Sequence, residues 1–419
     1  MLTLAIDFGT SNTLAGVIRD GKIELLPLDP ENQDPRIFRT LLYFPDANQA
    51  FYGKKAITEF TSNDFEGRLF RSFKAHLPNP QYLGTTVQSR RLPIEEMVGL
   101  FLLEVKKRAE KILNQKITKA LVGRPALYSL DPVKEGIATF RMEKAIQFAG
   151  FEEFQLMPEP IAAAWSLKPT LKKVSKILVG DFGGGTSDFT LIEMGPTQEF
   201  EKKHVLGLGG CPKAGDALDG LFMKNRLSRH FGAQSEYRIP MGSNVLKMPP
   251  AVTEKLQVPA WISHLREKET FEFIKNVQKC SLTEKDRKFI DQLIVLVEDQ
   301  QIFSFFEEIE KNKRQLSNTD FSDFQFQVEG IDVMERLSRL EFEKWAAPLT
   351  AEIMQPFDEM LATSGVKAGD IDLVCLTGGT AQAPMIRQAL VDRLGVEKLV
   401  STDFFGSVIS GLTLAGARS

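Results

Sequence analysis

The fold is decided by the stretch Leu4-Ala-Ile-Asp7-Phe8-Gly9-Thr10-Ser11-Asn12-Thr13, because a closely similar stretch returns in mid-chain. This second copy is Ile177-Leu-Val-Gly-Asp181-Phe182-Gly183-Gly184-Gly185-Thr186-Ser187-Asp188. Each copy has an apolar strand, Asp-Phe-Gly, a Thr-Ser pair and a second apolar strand. Glycine tolerates positive φ angles and the flanks are β-formers, so each copy predicts a β-hairpin. Two matched hairpins about 175 residues apart predict two similar halves that face one cleft.

Strands and helices alternate outward from these hairpins. Apolar residues at helical spacing predict helices over residues 94–115 and 131–149, the second ending before Gly150. This alternation predicts an α/β fold. Further helical patterns cover 282–316, 335–361, 383–394 and 406–418, and a strand is predicted over 371–376.

Composition limits the possible classes of protein. A chain of 419 residues is too long for one simple core, so two or more lobes are expected. The net charge of -3 provides no basic field, and we expect neither a nucleic-acid nor a membrane partner. No apolar stretch approaches the ~20 residues of a membrane span. Three widely spaced cysteines without a CxxC pair fit a reducing, cytoplasmic setting.

The hairpin turns have the composition of a phosphate site. A turn of Gly, Thr and Ser exposes several backbone N–H groups on one side, which suits an anion. Asp7 and Asp181 follow the apolar strands, where a carboxylate can hold hydrated Mg²⁺. The alternative is two ordinary glycine hairpins with capping aspartates. A third glycine element, Thr377-Gly378-Gly379-Thr380, lies between a strand and a helix. Neither GxxxxGK[ST] nor GxGxxG occurs, so a P-loop or a Rossmann site is not supported.

Taken together, the three glycine elements resemble the phosphate-1, phosphate-2 and adenosine motifs of the actin, sugar-kinase and chaperone superfamily. Further motifs are similar to those of the seventy-kilodalton heat-shock (DnaK-type) chaperones, and the short YegD-like form without a substrate-binding domain is the nearest match. These motifs are Arg71-Ser-Phe-Lys74, Glu159-Pro160-Ile-Ala-Ala-Ala, the segment from Glu310 to Ser317, and the segment from Asp403 to Leu412.

The resemblance implies an actin-like ATPase fold, with ribonuclease-H-like duplicated lobes and a nucleotide cleft between them. The first lobe is expected over residues 1–165 and the second over 166–419, with a C-terminal helix returning toward the first lobe. An enlarged helical insertion is expected at about 220–310. This insertion either packs on its own lobe or offers a surface to a protein partner.

The implied activity is Mg-dependent binding and slow hydrolysis of ATP, with ADP as product, coupled to lobe closure. Lys74 would neutralise γ-phosphate charge and Glu159 would position water; a surface lysine and a turn cap are the alternatives. The implied catalytic residues are Lys74, Glu159, Asp181 and Thr186; the metal residues are Asp7, Asp181 and Asp188; the nucleotide residues are Thr10, Ser11, Asn12, Gly183, Gly184, Gly185, Glu310, Lys313, Arg314, Ser317, Gly378, Gly379, Thr380 and Gln382.

The chain departs from the chaperone pattern in three places. Gln382 stands where these chaperones place an arginine against adenine. Pro125 can serve as their relay proline, but ungapped counting puts Thr139 at the relay arginine, with Arg141 nearby. The sequence ends at Ser419, where a peptide-binding domain would follow. Two other functions are possible on this fold: a small-molecule (sugar-type) kinase, and a non-catalytic nucleotide switch or filament protein. The alternative for residues 310–317 is that their charges form a solvated helix face.

Overall fold

Strands and helices alternate along the computed structural model, which describes residues 2–63, 66–129, 131–197, 201–239, 242–298, 301–400 and 406–417. The strands are β1 (Thr3–Phe8), β2 (Asn12–Arg19), β3 (Lys22–Leu25), β4 (Phe38–Arg39), β5 (Leu41–Phe44), β6 (Phe51–Tyr52), β7 (Arg68–Arg71), β8 (Gly84–Val87), β9 (Arg90–Pro93), β10 (Lys119–Arg124), β11 (Glu153–Pro158), β12 (Ser175–Phe182), β13 (Ser187–Met194), β14 (Val205–Cys211), β15 (Glu236–Tyr237), β16 (Leu246–Lys247), β17 (Phe321–Val328), β18 (Ile331–Ser338) and β19 (Leu373–Thr377). The helices are α1 (Gly53–Ser62), α2 (Ile94–Leu113), α3 (Pro132–Phe148), α4 (Glu159–Leu167), α5 (Gly215–Phe222), α6 (Pro250–Thr253), α7 (Pro259–Ile262), α8 (Lys268–Lys279), α9 (Glu284–Glu298), α10 (Ile302–Leu316), α11 (Arg339–Ser364), α12 (Pro384–Leu394) and α13 (Gly406–Gly416).

The first sheet has the strand order β3-β2-β1-β10-β11, with β4 beside β2. The first hairpin pairs antiparallel, with Ala5 opposite Gly16, and β1 pairs parallel to β10, with Ala5 opposite Leu121. Leu4, Ile6 and Phe8 are fully buried in a core shared with α2 and α3. Their alternation follows from the two-residue period of a strand.

The second sheet repeats this arrangement with the order β14-β13-β12-β19. The β12–β13 hairpin is antiparallel, and β12 pairs parallel to β19, as β1 does to β10. A parallel bridge between Val374 and Leu399 extends the sheet on the same edge that β11 occupies in the first sheet. The predicted duplication is confirmed, and the fold is the actin-like α/β architecture with two related sheets.

Two helices, α4 and α13, lie between the two sheets. Their apolar residues form one buried cluster with Ala5 and Leu121 of the first sheet and Val179 of the second. The helices cross closely, because a Cβ at Gly411 would overlap the carbonyl oxygen of Ala162. Glycine is therefore required sterically at this crossing. The structural halves are joined here through small residues.

The remaining sequence expectations have mixed outcomes. Helices α2 and α3 match the predicted spans, with Asp131 capping α3 through the Val133 N–H at 2.8 Å. The prediction of a helix from residue 335 is wrong for its first four residues, which belong to β18. Residues 282–316 hold two helices, α9 and α10. Asp403 and Arg418 lie outside the described residues. Within the described ranges, no helix has the length and apolar character needed to cross a membrane.

Candidate functional site

The two hairpin turns are built alike. In the first, the Gly9 N–H donates to the Asn12 carbonyl at 3.0 Å, and in the second the Gly183 N–H donates to the Thr186 carbonyl at 3.0 Å. Asp7 and Asp181 occupy the same position, one residue before the end of β1 and of β12. Each turn therefore places a carboxylate beside a set of backbone N–H groups that lies outside the strand ladder.

All three glycine elements converge. A Cβ on Gly184 would lie 3.4 Å from the Ser11 hydroxyl, so the two turns face each other at contact distance. The Thr380 hydroxyl donates to the Gly183 carbonyl at 2.8 Å. Gly378 has a φ of +84°, and a Cβ there would lie 3.0 Å from a carboxylate oxygen of Asp181. The fold thus brings together three segments that are far apart in the sequence.

Lys74 and Glu159 form an ion pair beside these turns. The Lys74 Nζ donates to Glu159 Oε1 at 2.8 Å, and the two side chains are only 8% and 11% exposed. Lys74 lies on a 3-10 helix, Phe73–His76, while Glu159 opens α4 next to Pro160. The alternative of a surface lysine is wrong. A buried pair of ionised side chains in a cleft is frequently part of a functional site.

The electrostatics of the site show that the predicted acidic residues influence one another. Desolvation and the Glu159 charge raise the pKa of Asp7 to about 7, although Lys74 opposes them. Desolvation, Glu159, Asp188 and Asp7 raise the pKa of Asp181 well above its usual value. Desolvation also raises the pKa of Asp188 to about 6, against a hydrogen bond from Thr186. Desolvation would lower the pKa of Lys74, but Glu159 and its neighbours raise it. Burial is the largest cause of these raised pKa values, and the site holds more carboxyl groups than its one lysine can balance.

This excess of carboxylate suits a hydrated divalent cation. Among the described residues, no group of three or more His, Cys, Asp or Glu side chains is placed to chelate an ion directly. Mg²⁺ keeps much of its water shell and is often held through one or two carboxylates plus substrate phosphates. Asp7, Asp181 and Asp188, all partly accessible, have the donor chemistry for that mode.

The expected adenine-side residues lie on α10 and its C-terminal end. The Lys313 ammonium is 2.7 Å from Asp219 Oδ1 and donates to the Gly215 carbonyl at 3.3 Å. A Cβ on Gly215 would lie 2.6 Å from the Thr380 hydroxyl, which links α10 to the third glycine element. Glu310 and Ser317 lie near Lys313 at the C-terminal end of α10. Desolvation by burial would raise the pKa of Glu310, but nearby positive charges, Arg39 first among them, lower it. The Ser317 hydroxyl donates to the Lys313 carbonyl at 3.4 Å.

Arg314 and Gln382 differ from this group because both are exposed. Arg314 is 65% exposed and lies 3.7 Å from Glu310, its partner one turn earlier on α10. Gln382 ends the 3-10 turn Gly379–Gln382. Of the predicted α10 residues, Lys313 is the one whose side chain contacts the segment beside the third glycine element, through the Gly215 carbonyl.

Three features of the site depend on contacts between distant segments, and of their residues only Arg141 lies near a position that the sequence pattern singled out. The buried Tyr128 hydroxyl has no hydrogen-bond partner among the described residues, and desolvation raises the pKa of Tyr128 to about 12. Arg141 donates to four carbonyls of the loop after Lys74, at 2.8–3.3 Å: His76, Leu77, Asn79 and Tyr82. Arg39 of β4 pairs with Glu307 of α10 at 2.9 Å, joining the two halves. Only tertiary folding places these residues at the site.

Two sheets of the same topology, two helices between them and a charged site at their hairpin turns define an ATPase-type actin-like fold. The chain belongs to the Hsp70 family, because the sequence profile described as "Hsp70 protein" matches residues 3–204 and 287–411. Residues 205–286 lie outside that match.

Two individual proteins that the chain resembles are consistent with this family assignment. The chain is 25% identical over 421 aligned residues to the chaperone protein DnaK of Thermus thermophilus, which covers 94% of this chain and 57% of the relative. It is 33% identical over 224 residues to the chaperone protein DnaK of Endomicrobium trichonymphae, covering 52% of this chain and 34% of the relative. The chain thus spans little more than half the length of the first of these relatives.

Proposed function

We propose that this chain binds Mg-ATP between its two halves, hydrolyses it slowly, and couples the nucleotide state to closure of the halves. The observation that carries the proposal is the buried Lys74–Glu159 pair, 2.8 Å long, beside two converging glycine turns with Asp7 and Asp181 at their bases. Membership of the Hsp70 family supports an ATP-binding, chaperone-like protein.

The phosphates would lie between the hairpin turns. Backbone N–H groups and hydroxyls of Thr10, Ser11 and Asn12 would face those of residues 183–186 across the cleft. The short distance between the two turns supports this arrangement, since a Cβ on Gly184 would lie 3.4 Å from the Ser11 hydroxyl. Concave sets of backbone N–H groups bind anions without adding a formal charge. The nucleoside would be surrounded by the third glycine element and by residues at the C-terminal end of α10. These residues are Gly378, Gly379, Thr380 and Gln382 of the first group and Glu310, Lys313, Arg314 and Ser317 of the second.

Hydrolysis would depend on position and charge rather than on a strong base. Lys74 would face the γ-phosphate, and Glu159, its ion-pair partner, would accept a hydrogen bond from the attacking water. Thr186 and Asp181 would orient that water from the second turn. Tyr128 is protonated at neutral pH, as tyrosines ordinarily are, and burial raises its pKa further, to about 12. Its hydroxyl, which has no hydrogen-bond partner among the described residues, would donate to a phosphate oxygen. Positioning and electrostatic stabilisation supply most of the catalysis in phosphoryl transfer.

Mg²⁺ would be held, through its water shell, by Asp7, Asp181 and Asp188. When bound, the ion supplies positive charge that neutralises the phosphates. The carboxyl groups would ionise as the ion binds, because the positive charge of the ion would offset the burial and the Glu159 charge that raise their pKa values.

Closure would bring the first lobe (residues 1–165) and the second (166–419) together about the α4–α13 crossing. The Arg39–Glu307 pair already spans the two halves at 2.9 Å. A partner protein would sense this movement, and the helical region at 220–310 is the surface we assign to it. We also propose a cytoplasmic location, which the three widely spaced cysteines without a CxxC pair favour.

Calorimetric titration of the purified chain with ATP, ADP and GTP, each with Mg²⁺, tests the proposal. We expect both adenine nucleotides to bind more tightly than GTP, and Asp181→Asn to weaken binding in Mg²⁺ but much less in EDTA. Absence of heat at millimolar nucleotide, with the protein folded by circular dichroism, would refute the proposal.

A further inference from the structure

A threonine from a distant segment contacts each of the two hairpin turns. Thr40, which lies between β4 and β5, donates its hydroxyl to the Gly9 carbonyl at 2.9 Å. In the second half, the Thr380 hydroxyl donates to the Gly183 carbonyl at 2.8 Å. The two threonines lie 31 and 197 positions from the glycines that they contact. Because these are the first glycines of the two Asp-Phe-Gly turns, the same contact is made twice from unrelated segments.

Two more hydrogen bonds fix Thr40 against the first turn. The Thr40 N–H donates to the Ser11 carbonyl at 2.9 Å. The Thr13 and Thr40 hydroxyl oxygens lie 2.9 Å apart, and because Thr40 donates its own proton to Gly9, Thr13 is the donor of this pair. Both threonines are fully buried. Hydrogen bonds in such a chain strengthen one another, so the orientation of the Gly9 carbonyl is well determined.

Backbone contacts complete the arrangement in the second turn. The Gly215 N–H also donates to the Gly183 carbonyl, at 3.2 Å, and the Asp216 N–H donates to the Gly184 carbonyl at 2.7 Å. The buried Thr380 hydroxyl is confined on this side, since a Cβ on Gly215 would lie 2.6 Å from it. The first two carbonyls of the second turn therefore point toward α5 and the third glycine element.

These contacts set the direction in which the N–H groups of the turns point. In a trans peptide the C=O and the N–H of the next residue point in opposite directions. The Gly9 carbonyl points to the buried Thr40, so the Thr10 N–H points away from the interior. By the same geometry, the Gly184 N–H points away from Thr380. Neither N–H has a hydrogen-bond acceptor among the described residues, so both are available to an anion.

We propose that Thr40 and Thr380 are matched positioning residues, which direct the Thr10 and Gly184 N–H groups toward the phosphates of the nucleotide. This inference rests on the proposed function, and it gives Thr40 a role and Thr380 a second one. The two hydroxyls act through the glycine carbonyls, because each donates its proton there. Donors that are oriented before the ligand arrives cost no reorganisation when it binds. The two halves thus use the same device on their two phosphate turns.

Calorimetric titration of the full chain with Mg-ADP and with adenosine separates phosphate binding from nucleoside binding. Thr40→Val deletes the hydroxyl and keeps the side-chain shape, and it should weaken Mg-ADP about tenfold, because a hydrogen bond to a charged phosphate is lost. Adenosine affinity should change by no more than about twofold. Thr40→Ser, which keeps the hydroxyl, should bind Mg-ADP as the wild type does. The matched control is Thr413→Val, which removes a buried hydroxyl bonded to the Ile409 carbonyl in α13 and should leave Mg-ADP affinity unchanged.

Amide NMR shifts test the two turns separately. In the wild type, Mg-ADP and inorganic pyrophosphate should both shift the Thr10 and Gly184 N–H signals. Thr40→Val should reduce the Thr10 response and leave that of Gly184, and Thr380→Val should do the reverse, which keeps the test open if one variant does not fold. Pyrophosphate shifts without nucleotide binding would refute the proposed function alone. Equal Mg-ADP affinity in wild type and folded Thr40→Val, equal weakening of adenosine, or no response of either amide to both ligands would overturn this inference.

Discussion

The Lys74 ammonium and the Glu159 carboxylate lie 2.8 Å apart although 85 positions separate them in the sequence. One residue is on a 3-10 helix of the first half and the other opens α4, the helix that leads to the second half. Taking an ion pair out of water costs desolvation free energy, and a lysine kept buried at that cost fits a site that binds a further charge. In the proposed reaction that charge is the γ-phosphate.

Lys74→Ala should reduce single-turnover hydrolysis of ATP by about a hundredfold or more while leaving ADP affinity within a few fold. The substitution also strands Glu159, so a loss of roughly 3–5 kcal/mol in the free energy of unfolding is expected. Lys74→Ala/Glu159→Gln should recover part of the stability but none of the rate. Lys111→Ala, on the exposed face of α2, is the control. Full hydrolysis by a folded Lys74→Ala protein would exclude the assigned role.

The Tyr128→Phe substitution tests whether the Tyr128 hydroxyl takes part in ATP hydrolysis. The hydroxyl is buried without a partner among the described residues, so its removal should leave the free energy of unfolding unchanged or higher. If Tyr128 donates to the γ-phosphate, ATP turnover should fall about tenfold and ADP binding should stay the same. Unchanged turnover would show that the hydroxyl takes no part in the reaction.

The raised pKa values of Asp7, about 7, and Asp188, about 6, predict how stability depends on pH. A carboxyl whose pKa is raised on folding binds its proton more tightly in the native state. Its contribution is therefore fully present below the unfolded pKa of 3.8 and is lost as the pH rises through the folded value. Without Mg²⁺, the free energy of unfolding should fall between about pH 4 and pH 7.

Urea unfolding across that pH range, with and without Mg²⁺ and ADP, measures this effect. Asp7→Asn should flatten the slope, and Asp323→Asn, at an exposed position on β17, should not. Mg-ADP should restore stability mainly at the higher pH, where the carboxylates are ionised. The same slope in wild type and Asp7→Asn would contradict the assignment.

Arg39 and Glu307 should slow nucleotide release by holding the halves together. An ion pair of partial exposure is worth about 1 kcal/mol or less, so Arg39→Ala should speed release of a fluorescent ADP analogue by up to about fivefold. The effect should shrink at high salt. Arg39→Glu/Glu307→Arg should restore slow release; if each single reversal and the double variant release ADP alike, the pair has no such role.

The α4–α13 crossing can be tested with two glycines. Gly411→Ala would force α13 away from the Ala162 carbonyl and should destabilise the protein by at least about 2 kcal/mol. Gly136→Ala, in α3 where the new Cβ meets nothing within 4 Å, should instead stabilise it by about 0.5–1 kcal/mol. Thermal unfolding of both variants checks the contrast, and equal effects would argue against a tight crossing.

Sequence reasoning reached the parts of this molecule that are encoded locally. Each Asp-Phe-Gly hairpin, with its turn and both strands, lies within one continuous segment, Thr3 to Arg19 or Ser175 to Met194, and the apolar spacing over 131–149 predicts α3. The sequence analysis does not predict β18, because the helical pattern assigned from residue 335 overlaps the end of this strand. The buried residues Ile331, Val333 and Leu337 follow the two-residue period of a strand.

Pairs across the fold were not accessible in this way. Tyr128 reaches Lys74 because the segment after β10 lies beside it, and Arg141, which the sequence placed only near an expected arginine, contacts the loop after Lys74 because α3 packs against that loop. Arg39 meets Glu307 only when the two halves face each other. No periodicity or motif in one segment records such a contact, since it depends on how separate elements pack.

The most direct measurement is single-turnover release of phosphate from Mg-ATP by the purified chain, compared with its Asp181→Asn and Lys74→Ala variants. We predict slow but measurable release by the wild type, at least about a hundredfold slower in both variants, with each variant folded. Release at the same rate in all three proteins, or none in the wild type while ATP remains bound, would contradict hydrolysis at this site.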